Sequence, residues 1–110
     1  MQIPPMATKK QFKNFAELLS GSDKPLLVDF YATWCGPCRM LVPILDQVST
    51  LMKDQVQVVK IDTERYPDLA TEYHIHALPT LVLFKEGQPV DRIEGVLPPE
   101  DIVSRLQPLL

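Results

Sequence analysis

The sequence predicts a single α/β domain over residues 1–110, with a central mixed five-stranded sheet flanked by four helices. Three observations carry this. First, strand-like and helix-like apolar segments alternate in the order β-α-β-α-β-α-β-β-α, which calls for a sheet with helices on both faces. Second, "LLVDFYA" (Leu26 to Ala32) is a near-continuous apolar run of strand length, the pattern of a strand buried on both sides. Third, "TLVLFKEGQPVDRIEG" reads as a hairpin, so a sheet that begins parallel ends with an antiparallel pair. A chain of 110 residues, 45% of them hydrophobic, suits one domain with a real core.

The elements follow in order. "MQIPPMATKK" holds two closely spaced prolines, and residues 1–7 read as a loosely ordered arm; the first strand of the order also precedes Asn14. Asn14 and Glu17 have capping-box spacing and open a short helix, "FAELLS", closed by Gly21. The Leu26–Ala32 strand follows a polar loop. Next, "RMLVPILDQVSTLM" places Met40, Ile44, Val48 and Leu51 at helical spacing, with Leu41 and Leu45 widening the stripe. Pro43 lies inside this helix and should kink it.

"VQVVKID" (Val56 to Asp62) is a second β-rich run. "YPDLATEYHI" is a short helix with Pro67 near its first turn. The hairpin has strands Thr80–Lys85 and Pro89–Glu94 around a turn at Glu86–Gln88, where Gly87 serves as a turn glycine. "PPEDIVSRLQPLL" closes the chain as an amphipathic helix with Ile102, Val103 and Leu106 inward.

Bulk properties remove several function classes. A net charge of −3 with no long Lys/Arg run argues against a nucleic-acid surface. No apolar run approaches the ~20 residues of a bilayer span. The N-terminus lacks an apolar leader core and an Arg/Ser-rich amphipathic leader, so the chain reads as neither a secretory nor a transit precursor. Two cysteines cannot staple a small secreted scaffold. A close pair without a secretion signal points instead to redox or metal chemistry in a reducing compartment.

That pair lies in "DFYATWCGPCRMLVP". Cys35 follows the Leu26–Ala32 strand and begins the next helix. Free amide donors and the helix dipole there stabilise a negative sulfur and lower the thiol pKa. A Cys35 thiolate can attack a disulfide of another protein and form a mixed disulfide. Cys38, one turn on, can attack that bond from within, leaving the client reduced and Cys35 bonded to Cys38. Gly36 allows a tight turn with no Cβ in a partner's way. Pro37 pre-sets φ for the first helical turn, where its missing N–H costs little. A zinc site needs two further ligands, and besides carboxylates only His74 and His76 are on offer, at the wrong spacing. Two inert buried cysteines are also disfavoured, because a Trp-Cys-Gly-Pro-Cys turn at a strand–helix junction is a poor place to bury anything.

"WCGPC" after "VDFYAT", then a helix carrying Pro43, then "LPT" at Leu78–Thr80, resembles the thioredoxin family from about Lys9 to Leu110. "DKPLLVDFYATWCGPC", "VVKIDTERYP" and "ALPTLVLFKEGQPVDRIEG" look most like the y-type thioredoxins of plastids and cyanobacteria. The resemblance implies the thioredoxin fold and a protein-disulfide reductase that carries electrons on its Cys35–Cys38 disulfide, with no other cofactor and no metal. It implies Cys35 as nucleophile and Cys38 as resolving thiol. Trp34 would cover the disulfide, and Asp29 would be buried beneath Cys38 with a raised pKa, accepting a proton through water. Lys60 would lie near Asp29. Against this, Asp29 could face water at a strand edge, and Lys60 could be a solvated lysine.

Pro79 matches the family's cis proline, which would set the Leu78 backbone alongside the sulfurs, ready to pair with an extended client strand. Ala77, Leu78, Gly95 and Val96 would share that client surface with Trp34, Gly36 and Pro37. Two departures stand out: Ala77 occupies a position that is Gly in many relatives, slightly filling the groove, and Tyr31 stands where many have Trp. His76, in the loop before Pro79, could tune pH response or partner choice.

The implied partners are a ferredoxin- or NADPH-dependent thioredoxin reductase and disulfide-containing clients such as peroxiredoxins or methionine sulfoxide reductases, with no nucleic acid and no membrane. The expected state is a monomer in a bacterial cytoplasm, or in a plastid stroma for a processed chain. The Gly-Pro dipeptide between the cysteines argues against an oxidase or isomerase on the same fold. The intact set Cys35, Cys38, Asp29 and Pro79 argues against a non-enzymatic binding module.

Overall fold

A computed structural model describes residues 14–110. The expected arm over 1–7 and the strand ahead of Asn14 lie outside the described residues. Helix α1 (Phe15–Gly21) starts where Asn14 accepts the Glu17 amide at 2.8 Å through its side-chain oxygen, as the cap spacing predicts. Then come β1 (Leu26–Tyr31), α2 (Gly36–Leu51), β2 (Gln57–Asp62) and α3 (Pro67–Glu72). Strands β3 (Thr80–Lys85) and β4 (Gln88–Glu94) form the hairpin, and α4 (Pro99–Leu106) runs into a 3-10 turn at Gln107–Leu109.

The described residues form a four-stranded sheet in the order β2-β1-β3-β4, where five strands were expected. The difference is the strand anticipated before Asn14. Strands β1 and β2 are parallel, while β3 runs antiparallel to both β1 and β4. The continuous apolar run thus occupies an interior position, with Leu26 to Phe30 all buried. The hairpin turn is tighter than expected: only Glu86 and Gly87 intervene, both with positive φ (54° and 81°), a backbone that matches strand twist.

Alternation along the strands divides the core in two. On one face Leu27, Leu81, Leu83 and Ile93 pack under Leu41, Leu45 and Val48 of α2 and Ile102 and Leu106 of α4. On the other, Leu26, Val28, Phe30, Val82 and Phe84 pack under Phe15 and Leu18 of α1, with Leu69 of α3 and Tyr73 against them. The expected inward face of α2 needs correction. Met40 and Leu51 are 62% and 63% exposed, whereas Leu41, Leu45, Val48 and Met52 are buried. The helix is apolar on two adjacent faces, and the sheet meets only one of them. Among the described residues no helix is long and apolar enough to cross a membrane.

Candidate functional site

The two cysteines sit where β1 hands over to α2. The chain leaves the sheet at Ala32, whose carbonyl accepts the Cys35 amide at 3.2 Å. Arg39 reaches back from the first turns of α2 and donates to the Thr33 carbonyl at 3.1 Å, bracing the turn that carries Trp34. Cys35 is the N-cap residue of α2, with extended backbone (φ −86°, ψ 114°), and its sulfur accepts the Cys38 amide at 3.2 Å. A sulfur therefore does what a Ser or Asp oxygen does at an ordinary cap, at the positive end of a sixteen-residue helix. Pro37 lies in the first turn, where no intrahelical acceptor awaits an amide. Cys35 and Cys38 form a disulfide with their Cα atoms 5.3 Å apart.

The expectation that this turn leaves its cysteines uncovered is corrected. Cys35 is 5% and Cys38 3% exposed, because Ala32, Tyr31 and Leu78 pack around them. The exposed parts of the motif are its neighbours: Trp34 is 65% exposed, and Gly36 and Pro37 also face solvent. A Cβ added at Gly36 would meet no atom within 4 Å, so no packing within the chain demands glycine there.

Asp29 is fully buried on an interior strand rather than wetted at an edge. It alternates with Leu27 and Tyr31 on the α2 face, between the core beneath α2 and the side chain that packs on the cysteines. Neither carboxylate oxygen has a hydrogen-bond partner. Burial pushes its pKa from 3.8 up to about 7, and the charge of Lys60 partly opposes the rise. Lys60 is the direct β2 partner of Asp29 in the parallel register, and its ammonium lies 5.1 Å from the centre of the Tyr31 ring.

The loop into β3 supplies the next residues. The Leu78–Pro79 peptide is cis. Leu78 packs against the cysteine cluster, and Ala77 is exposed beside it. The Pro79 carbonyl accepts the Gly95 amide at 2.9 Å, which draws the β4–α4 loop to the same end of the sheet. Gly95 has φ +88°, a value that glycine adopts without penalty. Val96 is half-buried against the core under α2 and α4.

Three contributors were given no role at the site from the sequence. The buried Thr80 hydroxyl donates to the Ala77 carbonyl at 2.6 Å and closes the turn around Pro79; its place directly after Pro79 was the available signal. Tyr31 packs on the cysteines and takes up the Lys60 charge. Arg39 has its role only through folding of the turn. The rings of His74 and His76 are 6.3 Å apart, and among the described residues no three His, Cys, Asp or Glu side chains gather as a metal-ligand set. A cavity of about 390 Å³ between α1 and α3, lined by Phe15, Leu19, Tyr66, Leu69 and Tyr73, opens on the sheet face away from α2.

The family model described as Thioredoxin matches residues 6–108. A thioredoxin-like protein of Synechocystis is 64% identical over 102 residues, covering 93% of this chain and 97% of its own length. The chloroplastic thioredoxin Y1 of Arabidopsis thaliana is 56% identical over 101 residues, covering 92% of this chain and 59% of its own length. The chain thus spans little more than half of that plant protein. Mitochondrial thioredoxin 3 of Saccharomyces cerevisiae, solved in its oxidised form, superposes with a TM-score of 0.76 at 39% identity, over 84% of this chain and 85% of that one.

Proposed function

The chain belongs to the thioredoxin family and is a protein dithiol–disulfide oxidoreductase, and from that premise we propose which residue performs each step. Cys35 is the nucleophile. Its sulfur at the helix cap accepts the Cys38 amide at 3.2 Å, and this observation carries the assignment. The Cys35 thiolate attacks one sulfur of a client disulfide, and the other client sulfur leaves as a thiolate that takes up a proton. Asp29 accepts the Cys38 proton through water, for which a carboxyl titrating near neutrality is suited. Cys38 then attacks Cys35, the mixed disulfide breaks, and the client leaves as a dithiol. Two electrons have passed to the client, and the protein holds the Cys35–Cys38 bond. Lys60, on the neighbouring strand, favours the ionised form of Asp29 and so offsets part of the rise that burial imposes.

The client docks as an extended strand along Ala77, Leu78 and Pro79. Trp34, Gly36, Pro37, Gly95 and Val96 border the groove. The open space at Gly36 supports this, since nothing inside the chain fills it. Thioredoxins work with reductases that reload them. For this chain we infer a ferredoxin- or NADPH-dependent one, no further cofactor, and clients such as peroxiredoxins or methionine sulfoxide reductases. The site of action is a bacterial cytoplasm or, in keeping with the chloroplastic relatives, a plastid stroma. The working state is a monomer, with neither nucleic acid nor membrane as a partner.

Insulin reduction tests the assignment. Cys35→Ser should abolish turnover, and Cys38→Ser should stall as stable mixed disulfides. Turnover surviving Cys35→Ser would sink the catalytic assignment, and faster alkylation of Cys38 than of Cys35 in the reduced protein would reverse the roles.

A further inference from the structure

Helix α3 ends in an unusual way for its sequence. The Ile75 amide donates to the Ala70 carbonyl at 2.8 Å and the His74 amide to the Thr71 carbonyl at 3.2 Å. This is the paired pattern that closes a helix through one left-handed residue, a position that glycine normally takes. Here it is His74, with φ +54°. A side chain makes that conformation costly. The next carbonyls in line, those of Tyr73 and His74, lie beyond the helical ladder.

Arg92 meets both of them. It donates to the His74 carbonyl at 2.8 Å through Nη1 and to the Tyr73 carbonyl through Nη2. The strand explains how it reaches them. Arg92 pairs with Val82 of β3 and shares its face, the one beneath α1 and α3. Its neighbours Asp91 and Ile93 turn to the other face, where Asp91 holds Arg105 of α4 at 3.0 Å and Ile93 enters the core. Strand β4 and the residue just beyond it therefore grip the segment from His74 to Pro79 at both ends: the Arg92 guanidinium holds its start, and the Gly95 amide holds Pro79 at 2.9 Å. Between these ties lie Ala77 and Leu78.

We propose that Arg92 is a positioning residue for client docking: by satisfying the Tyr73 and His74 carbonyls it holds the left-handed turn that aims Ala77–Pro79 at the cysteines. This rests on the reading of Ala77–Pro79 as the client groove. Arg92 touches no reacting atom, so its loss should weaken docking and spare the sulfur chemistry.

The test is Arg92→Met, which keeps the apolar stem and removes the donors. In insulin reduction driven by dithiothreitol, KM should rise by about five- to tenfold, while turnover of a small aryl disulfide and the alkylation profile of Cys35 stay unchanged. Adding His74→Gly to Arg92→Met should bring KM most of the way back to the parent value, because glycine holds a positive φ unaided. A parallel Ala77→Trp variant, which fills the groove directly, should also raise the insulin KM. If Ala77→Trp raises it and Arg92→Met does not, the groove stands and the role given to Arg92 is wrong. If neither does, the groove reading itself fails and takes this inference with it. Equal losses toward insulin and the small disulfide, without rescue by His74→Gly, would mark Arg92 as a general stability residue and overturn the proposal.

Discussion

Asp29 has both carboxylate oxygens buried without a hydrogen-bond partner, and ionising it there costs free energy. Its pKa of about 7 in the folded chain, against 3.8 for the ordinary carboxyl, means that the native state binds this proton more tightly than the unfolded chain does. Stability from this group is therefore greatest below pH 3.8, falls as pH rises through the window from 3.8 to about 7, and stays lowered above it. The full drop is on the order of 4 kcal/mol. Asp29→Asn, which cannot ionise, should be more stable than the parent chain at pH 8 by up to that amount and nearly equal to it at about pH 3, below the unfolded pKa, as read by urea unfolding of the oxidised protein. It should also turn over insulin more slowly, because the acceptor for the Cys38 proton is gone. The same stabilisation at both pH values would mean that packing, not ionisation, sets the cost.

At the scale of an element, α2 shows how two helical faces can compete. Met40, Ile44, Val48 and Leu51 form one plausible stripe; Leu41, Leu45, Val48 and Met52 form another, rotated by about one residue, or 100°, and sharing Val48. Only the second meets the sheet. Leu41→Ala should accordingly cost about 2–5 kcal/mol of stability. Met40→Gln and Leu51→Gln should each stay within about 0.5 kcal/mol in the same urea titration. A large loss at Met40 would mean that the helix is rotated from the position described. The caps were easier to read than the faces. Asn14 and the Glu86–Gly87 turn act over two to four residues, so the sequence carries their whole cause.

For the whole molecule, two hydrophobic layers on either side of the sheet hold the fold, and the disulfide does not. Cys35 and Cys38 are three residues apart, so their bond closes too short a loop to restrict the unfolded chain much; the chain-entropy estimate is about 2 kcal/mol at most. Reduction with dithiothreitol should leave the near-UV and far-UV circular dichroism native and lower the unfolding free energy by no more than that. Collapse of the tertiary signal on reduction would make the pair a staple and not a carrier. A carrier needs this independence, because its bond is made and broken in every cycle.

By itself the sequence determined the redox motif, the presence of each helix and strand from Asn14 onward, and the hairpin that makes the sheet mixed. These depend on spacings of a few residues, where covalent geometry leaves little choice. Tertiary structure decided which face of α2 is core, how deeply the cysteines lie under Tyr31 and Leu78, and that Lys60 stands opposite Asp29. It also decided that Arg92 crosses to the end of α3. Each of these depends on where a distant segment packs, and no local pattern states that. An apolar residue can be buried on whichever side its partner arrives, and an arginine on a strand can serve any carbonyl that the fold brings within reach.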